Sequence, residues 1–289
     1  AAAATPSPLP DRLSKTGCVD PADPKKLAPG MVPYAVAAEL WADGADKTRA
    51  FAIPDGTKVT VKDDGRLELP PRSVTMKTFT RNGKKVETRL FVRHDDGGWG
   101  GLTYAWNDAQ TDASLVVGNR RTNEHYFPSR AECLRCHNEA AGRSLGLELA
   151  QLEIDFTYPN GARGNQVDNL LHAELLDKAP PRAKSSLASS ARGYLHANCA
   201  FCHRPGTGAA TFDLRATASL ADVCNAAPKA GDLGIAGAKL IVPGDPGKSL
   251  VSLRMHRTGA GRMPPLASFV VDPQVSSLID PWITTTACR

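Results

Sequence analysis

The chain has 289 residues, of which 42% are hydrophobic and 22% are charged. This composition supplies a sizeable core and excludes general disorder. The formal net charge of +5 is small, and the basic residues are not clustered, which gives little support to nucleic-acid binding. No segment approaches the roughly 18 consecutive apolar residues of a membrane span. The seven cysteines are the most informative residues, because four of them form two copies of one short pattern.

The first half of the chain is expected to be β-structure, because short apolar or β-branched runs alternate with turn dipeptides. The runs cover 50–53, 58–62, 73–80, 84–94, 99–107 and 113–117. The Asn-Gly dipeptide at 82–83 lies between two alternating runs and predicts a tight hairpin. In the run that follows, even-numbered positions are mostly apolar while Glu87 and Arg89 take odd positions. This alternation is typical of a half-buried antiparallel strand.

Beyond the β-rich half the pattern becomes helical. Ser129 followed by Glu132 predicts a capping box at the start of a helix that carries the first cysteine pair. Further helices are expected over 185–202, after Ser249 as N-cap, and from about Asp272 towards the end of the chain.

These patterns predict an α+β fold, with an N-terminal antiparallel β sandwich or barrel-like domain followed by a mostly α region. The expected segments are an extended arm over 1–12, a β domain over 13–125, a first cysteine-pair segment over 126–190 and a second one over 191–289. The opening AAAATPSPLPDR lacks the basic region and apolar core of a signal peptide. Any export leader is therefore expected to lie outside this chain.

The cysteine pattern is Cys-x-x-Cys-His, the attachment signature of c-type haem. Its two copies are Cys133, Cys136 and His137, and Cys199, Cys202 and His203. One helical turn separates the thiols suitably for thioether bonds to the two vinyl groups of one porphyrin. The adjacent histidine then supplies the proximal ligand of the iron. We therefore expect two covalently attached haem c groups.

Cys-x-x-Cys pairs also hold zinc or act as redox dithiols. The histidine beside each pair and a suitable downstream methionine favour haem over both alternatives. That methionine is Met263, which lies on a loop stiffened by Pro264 and Pro265 and is the predicted sixth ligand opposite His203. Met255 is its rival, but its position on an expected helix predicts a packing role.

The haem on His137 has no such partner. Its candidate sixth ligands are His125, His94, Met76 and His172, and the absence of any protein ligand is a further alternative. Lone histidines and methionines are more often structural than ligating. His196, three residues before Cys199, is interpreted as a surface or supporting residue rather than a ligand.

Three cysteines lie outside the two motifs, namely Cys18, Cys224 and Cys288. Haem c is attached outside the cytoplasm, where disulfides persist. We therefore expect a periplasmic or otherwise extracytoplasmic protein with at most one internal disulfide among these three. A bond between Cys224 and Cys288 would tie the last helix to the C-terminal domain, whereas a bond from Cys18 would fix the N-terminal arm. Cys18 could bond to either of the other two cysteines, and spacing alone leaves all three pairings open.

Several further segments are similar to a family of bacterial extracytoplasmic dihaem c-type cytochromes. They include LWADGADK over 40–47, ETRLFVR over 87–93, YAWNDAQTDA over 104–113, PSRAEC over 128–133, RGYLHANCAFCHRPG over 192–206 and PGDP over 243–246. The resemblance extends from about Leu13 to Ile283 and implies haem c and redox work without specifying a reaction. Residues from Cys199 to Trp282 also resemble a class I cytochrome c, which implies a mostly α, cytochrome c-like dihaem region.

The expected function is electron transfer between extracytoplasmic redox partner proteins, with the second haem ligated by His203 and Met263. The alternative is a haem enzyme, such as a peroxidase or small-substrate oxidase, in which the first haem has an open position. Arg130, Arg135 or a histidine of the β domain would then serve as the distal polar group. A third alternative is a sensor in which a gas displaces a weak ligand.

Overall fold

The computed structural model describes residues 9–181, 185–207, 212–266, 268–285 and 288. Its strands are β1 Val32–Tyr34, β2 Asp46–Ala52, β3 Thr60–Val61, β4 Leu67–Glu68, β5 Val74–Arg81, β6 Lys84–Arg93, β7 Trp99–Trp106, β8 Ala113–Leu115, β9 Arg120–Arg121, β10 Tyr126–Phe127, β11 Asp155–Thr157 and β12 Arg163–Asn165. Its α-helices are α1 Arg130–Cys136, α2 Leu149–Leu152, α3 Gln166–His172, α4 Ala191–Asn198, α5 Leu250–Met255 and α6 Asp280–Thr285. Short 3₁₀ turns cover Leu13–Lys15 and Pro246–Lys248, and Val275–Ile279 is π-helical.

One antiparallel sheet of six strands dominates the N-terminal half, in the order β1-β2-β5-β6-β7-β8. The predicted hairpin at Asn82-Gly83 joins β5 to β6, and both turn residues have positive φ, as a tight primed turn requires. The mixed α and β composition and the antiparallel sheet are confirmed. The predicted sandwich or barrel differs from the structure, because the described strands form this open sheet and three two-stranded ladders.

The reason is that segments other than strands cover both faces of the sheet. On one face Met76, Leu90 and Tyr104 pack with Leu13 and Cys18 of the N-terminal segment in an apolar cluster. The N-terminal residues thus take the place that a second sheet would have in a sandwich.

The opposite face carries charged residues as well as apolar ones, and the first cysteine-pair segment lies on it. A second apolar cluster joins Phe51 and Leu69 of the β-rich half to Leu147, Leu152 and Val167. It therefore crosses the boundary predicted at residue 125, and β-bridges such as Val59 to Leu176 reinforce the connection.

The C-terminal region has its own apolar cluster, in which Leu195 of α4 packs with Ile241, Met255 and Ile279. Cys224 and Cys288 form the disulfide, one of the three pairings that spacing left open, while Cys18 is buried and unbridged. No helix in the described ranges is long and apolar enough to cross a membrane.

Three helix predictions for this region need correction. α4 starts at Ala191 rather than near residue 185, because Ser190 caps it through the backbone N–H of Gly193. Ser249 takes the N-cap position of α5 without capping it, since its hydroxyl donates to the carbonyl of Asp245. The last helix is divided into the π-helical segment and α6.

Candidate cofactor-attachment site

α1 carries the first motif and begins at the predicted capping box. The Ser129 hydroxyl accepts from the backbone N–H of Glu132, and the Glu132 carboxylate accepts from that of Ser129. The helix lies against β7 where Gly101 has no side chain. A Cβ at Gly101 would lie 2.5 Å from Sγ of Cys133 and 2.8 Å from its Cβ. The close approach of helix and sheet therefore requires glycine at this position.

His137 has a ring orientation and a protonation state that its neighbours determine. Its Nδ1 lies 2.6 Å from the carbonyl oxygen of Arg143, so Nδ1 carries the proton and Nε2 keeps a free lone pair. The ring packs on Phe91 with 4.3 Å between centroids. Burial, with nearby Lys77 as a further cause, lowers the pKa of His137 to about 3. The imidazole is therefore neutral, as iron ligation requires.

The second motif follows α4, and Cys199 is the C-cap residue of this helix. His203 stacks on Phe212 with 4.6 Å between ring centroids. Its Nδ1 is buried and has no hydrogen-bond partner within the described part of the chain. Burial lowers the pKa of His203 below its usual value. This ring is therefore also neutral, but it lacks the carbonyl that orients His137.

The structure brings the two motifs into direct contact. Asn138, next to His137, donates from Nδ2 to the carbonyl of Phe201 at 2.7 Å. The Sγ of Cys202 lies 3.9 Å from the carbonyl oxygen of Arg135. Burial and the neighbouring Cys202 thiol raise the pKa of Cys136 to about 11. All four motif cysteines are unbridged, and burial raises the pKa of each of the four thiols.

Residues 39–43, which precede β2 of the sheet, form hydrogen bonds with the second motif segment. The side-chain oxygen of Asn198, the residue before Cys199, accepts from the backbone N–H of Trp41 at 2.7 Å. Its Nδ2 donates to the Glu39 carbonyl at 3.1 Å. The Asp43 carboxylate accepts from the backbone N–H groups of Phe269 and Val270, beyond the Met263 loop. This role of the LWADGADK segment was not predicted.

Met263 lies after α5, where its backbone N–H donates to the carbonyl of Arg254 at 3.0 Å. Its side chain is half-buried, and its role as sixth ligand stays a prediction. Met255 is buried in the C-terminal apolar cluster, as expected for a packing residue.

The structure separates the candidates for the sixth ligand opposite His137. Met76 is buried in the apolar cluster on the other face of the sheet, away from the first motif. His94 and His172 are exposed at the ends of β6 and α3. His125 is buried, but its Nε2 lies 2.6 Å from the Glu87 carboxylate.

Glu87 is the centre of a buried charge cluster that the strand pattern did not reveal. Its carboxylate is fully buried and accepts two hydrogen bonds from Arg89, each 2.7 Å, in addition to the contact with His125. Arg89 also lies over the ring of Phe79. The alternation of the strand is correct, but its polar face is covered by the first cysteine-pair segment instead of water.

His196 supports the second motif and is not a surface residue. Its Nδ1 accepts from the backbone N–H of Ala216 at 3.2 Å, so Nε2 donates to Glu148 at 2.6 Å. Both ring nitrogens are occupied, in agreement with the prediction that His196 is not a ligand. Arg130 and Arg135, the candidate distal groups, are exposed.

No group of three or more His, Cys, Asp or Glu side chains within the described ranges is arranged to hold a metal ion. Structural zinc takes four such ligands, whereas a haem iron takes only one or two protein ligands. No protein-family model matches the chain, and no curated protein or solved structure matches it either.

Proposed function

We propose that the protein is an extracytoplasmic dihaem c-type cytochrome that passes electrons between redox partner proteins. The observation that carries the proposal is the direct contact between the two Cys-x-x-Cys-His motifs through Asn138 and Phe201. Electron tunnelling slows steeply with distance, and adjacent attachment motifs favour a short path between two haems. The Cys224–Cys288 disulfide supports an oxidising compartment.

The residues present fit a covalently bound haem at the first motif. Cys133 and Cys136 are one helical turn apart on α1, and the free lone pair of His137 Nε2 follows from the hydrogen bond at Nδ1. α1 buries none of its residues fully, and Leu134 is 39% exposed. The helix therefore leaves apolar surface for a porphyrin to cover.

A bound haem supplies a one-electron iron couple, and the protein's contribution is to orient its ligands and exclude water. The carbonyl of Arg143 fixes the His137 ring, which also strengthens it as a donor. Phe91 and Phe212 pack on His137 and His203 respectively. A second ligand from Met263 would saturate the second iron and favour electron passage over substrate binding.

The haem content of the chain tests the proposal. Expressed with a c-type cytochrome maturation system, the intact protein is expected to gain the mass of two haems. Cys133→Ser/Cys136→Ser and Cys199→Ser/Cys202→Ser are each expected to retain one haem, because each motif supplies its own pair of thioethers. Cys18→Ser is the matched control and should retain both. A chain with no covalent haem under these conditions would refute the proposal.

Met263→Ala is expected to abolish the methionine-to-iron charge-transfer band of the oxidised protein and to lower the potential of one haem. The reason is that a thioether ligand favours the reduced iron. Met255→Ala is the control: it should keep the band while losing about 2–5 kcal/mol of stability, since Met255 is buried. Survival of the band in Met263→Ala would show that another residue ligates the iron.

A haem enzyme is the second candidate, with a sensor as the third. The observation that favours the enzyme is that two candidate sixth ligands of the first haem have other contacts. Met76 faces away from the first motif, and His125 is bound to Glu87. Two low-spin haems without a response to carbon monoxide would exclude the enzyme and the sensor. A high-spin haem that binds carbon monoxide would favour them over simple electron transfer.

A further inference from the structure

A cationic cavity lies between the polar face of the sheet and the two motifs. Its volume is about 60 Å³, and it is partly open to solvent. Charged side chains from the sheet and from both motif segments line it, namely Arg49, Arg66, Lys77, Glu148 and Arg204. Four of these five side chains are positively charged, so the lining of the cavity has a net positive charge.

The carboxylates around the cavity already have partners. Glu148 is bound by Nε2 of His196. Arg49 is paired with Glu39, and Arg66 donates to Asp64 at 2.6 Å. The two cations that remain are Lys77 and Arg204.

Lys77 has no hydrogen bond or ion pair with any described residue. Its burial and the neighbouring cations disfavour the protonated form of its amine. Burial, followed by Arg49 and Arg89, lowers the pKa of Lys77 to about 7. Arg204 is 8% exposed, and among the described residues it donates to the carbonyl oxygens of Ala200 at 2.6 Å and Ala140 at 3.3 Å and to no carboxylate. Unpaired cations in such surroundings are costly, and an anion in the cavity would offset that cost.

We propose that the cavity, which Lys77 and Arg204 both line, is a carboxylate site in which Lys77 binds a propionate of the haem attached at Cys133 and Cys136. The inference rests on the proposed function. It follows from position as well as charge. Lys77 lines the cavity together with Ala141 and Leu145 of the loop after the first motif. Arg204 directly follows His203 and donates to the carbonyl of Ala140 in the same loop.

The reactivity of Lys77 towards trace acetic anhydride at pH 7 tests the site, read by peptide mass spectrometry. In the haem-loaded protein its acetylation is expected to be about fivefold or more slower than in Cys133→Ser/Cys136→Ser. The reason is that an amine is half neutral when its pKa equals the buffer pH, and only about a tenth neutral when a bound carboxylate raises its pKa by one unit. The exposed Lys84, on the same sheet, is the internal control and should react equally in both proteins.

The intact masses separate failure of this inference from failure of the proposed function. Two haems with equal Lys77 reactivity in both proteins would overturn the inference and leave the dihaem proposal standing. A chain without haem would overturn both. Succinate added to the cysteine variant probes the other source of a carboxylate: protection of Lys77 only by succinate would mean that the site takes a solution anion instead of a propionate.

The haem potentials give a second measurement that does not depend on the cysteine variant. Lys77→Met is expected to lower the midpoint potential of the haem on the first motif, because an uncompensated propionate stabilises ferric iron. Lys77→Arg, which keeps the charge, should restore the potential, and Lys84→Met should not change it. An equal shift in Lys77→Met and Lys84→Met would contradict the assignment.

Discussion

Replacing Glu87 with leucine is expected to destabilise the fold by about 3–5 kcal/mol, the usual cost of removing one partner from a buried ion pair. Arg89 and His125 would lose the carboxylate they share. Urea unfolding is the measurement, with the midpoint shifted and the slope unchanged. Glu68→Leu is the matched control, since Glu68 pairs with Lys62 and Arg93 but is 45% exposed. It should cost no more than about 1 kcal/mol.

The pH dependence of the same pair of proteins adds a check. Burial raises the pKa of Glu87, but Arg89 and His125 outweigh this effect and hold it below its usual value of 4.5. A carboxylate with a depressed pKa stabilises the folded state above its unfolded pKa and loses that contribution as the pH falls. The difference between wild type and Glu87→Leu should therefore be largest near neutrality and decline below about pH 4.5. Equal losses for Glu87→Leu and Glu68→Leu would show that the cluster is not structural.

Gly193→Ala is expected to be as damaging, at about 4 kcal/mol or more, a loss seen only for severe core defects. A Cβ at Gly193 would lie 2.6 Å from the carbonyl carbon of Leu187 and closer still to its oxygen. Both atoms are backbone, so the turn before α4 must move away from the helix. α4 carries Asn198 and leads into Cys199, so the displacement would disturb the second motif.

Urea unfolding and the intact mass report this damage together. Gly193→Ala should show a lower midpoint and incomplete haem attachment at Cys199 and Cys202. The control is Gly247→Ala, because Gly247 is exposed and its nearest neighbour is the flexible Asp245 carboxylate at 3.2 Å. Its expected cost is within about 0.5 kcal/mol. A Gly193→Ala protein as stable as Gly247→Ala would mean that the turn at Leu187 adjusts freely.

Local chemistry made much of the fold predictable from the sequence. The capping box of Ser129 and Glu132 and the hairpin at Asn82-Gly83 depend on residues close in the chain, and both are present as predicted. The start of α4 was misplaced by several residues because the approach of Gly193 to Leu187 is a backbone contact without a hydrophobic signature.

The candidate site depends on contacts between residues distant in the chain, which the sequence alone did not indicate. The spacing of the two motifs identified the cysteines and histidines, but their contact through Asn138 and Phe201 joins residues 63 positions apart. The even-odd alternation placed Glu87 and Arg89 on one face, yet nothing in β6 itself indicates that a motif segment covers that face. The same alternation places Met76 and Lys77 on different faces of the sheet, but only the structure shows that the first motif lies on the face of Lys77.

The two differently covered faces of the sheet also restrict how its sequence can vary in length. Met76 pairs with Leu90 and Lys77 pairs with Arg89 in adjacent register positions. A single inserted or deleted residue in β5 would exchange the faces, moving the Lys77 ammonium against Leu13 and leaving Met76 at the cavity. We therefore expect insertions and deletions to be tolerated in the loops that join the strands but to be destabilising within β5 and β6. In these two strands, an even or odd position determines the face on which a side chain lies, and this matters as much as the type of side chain.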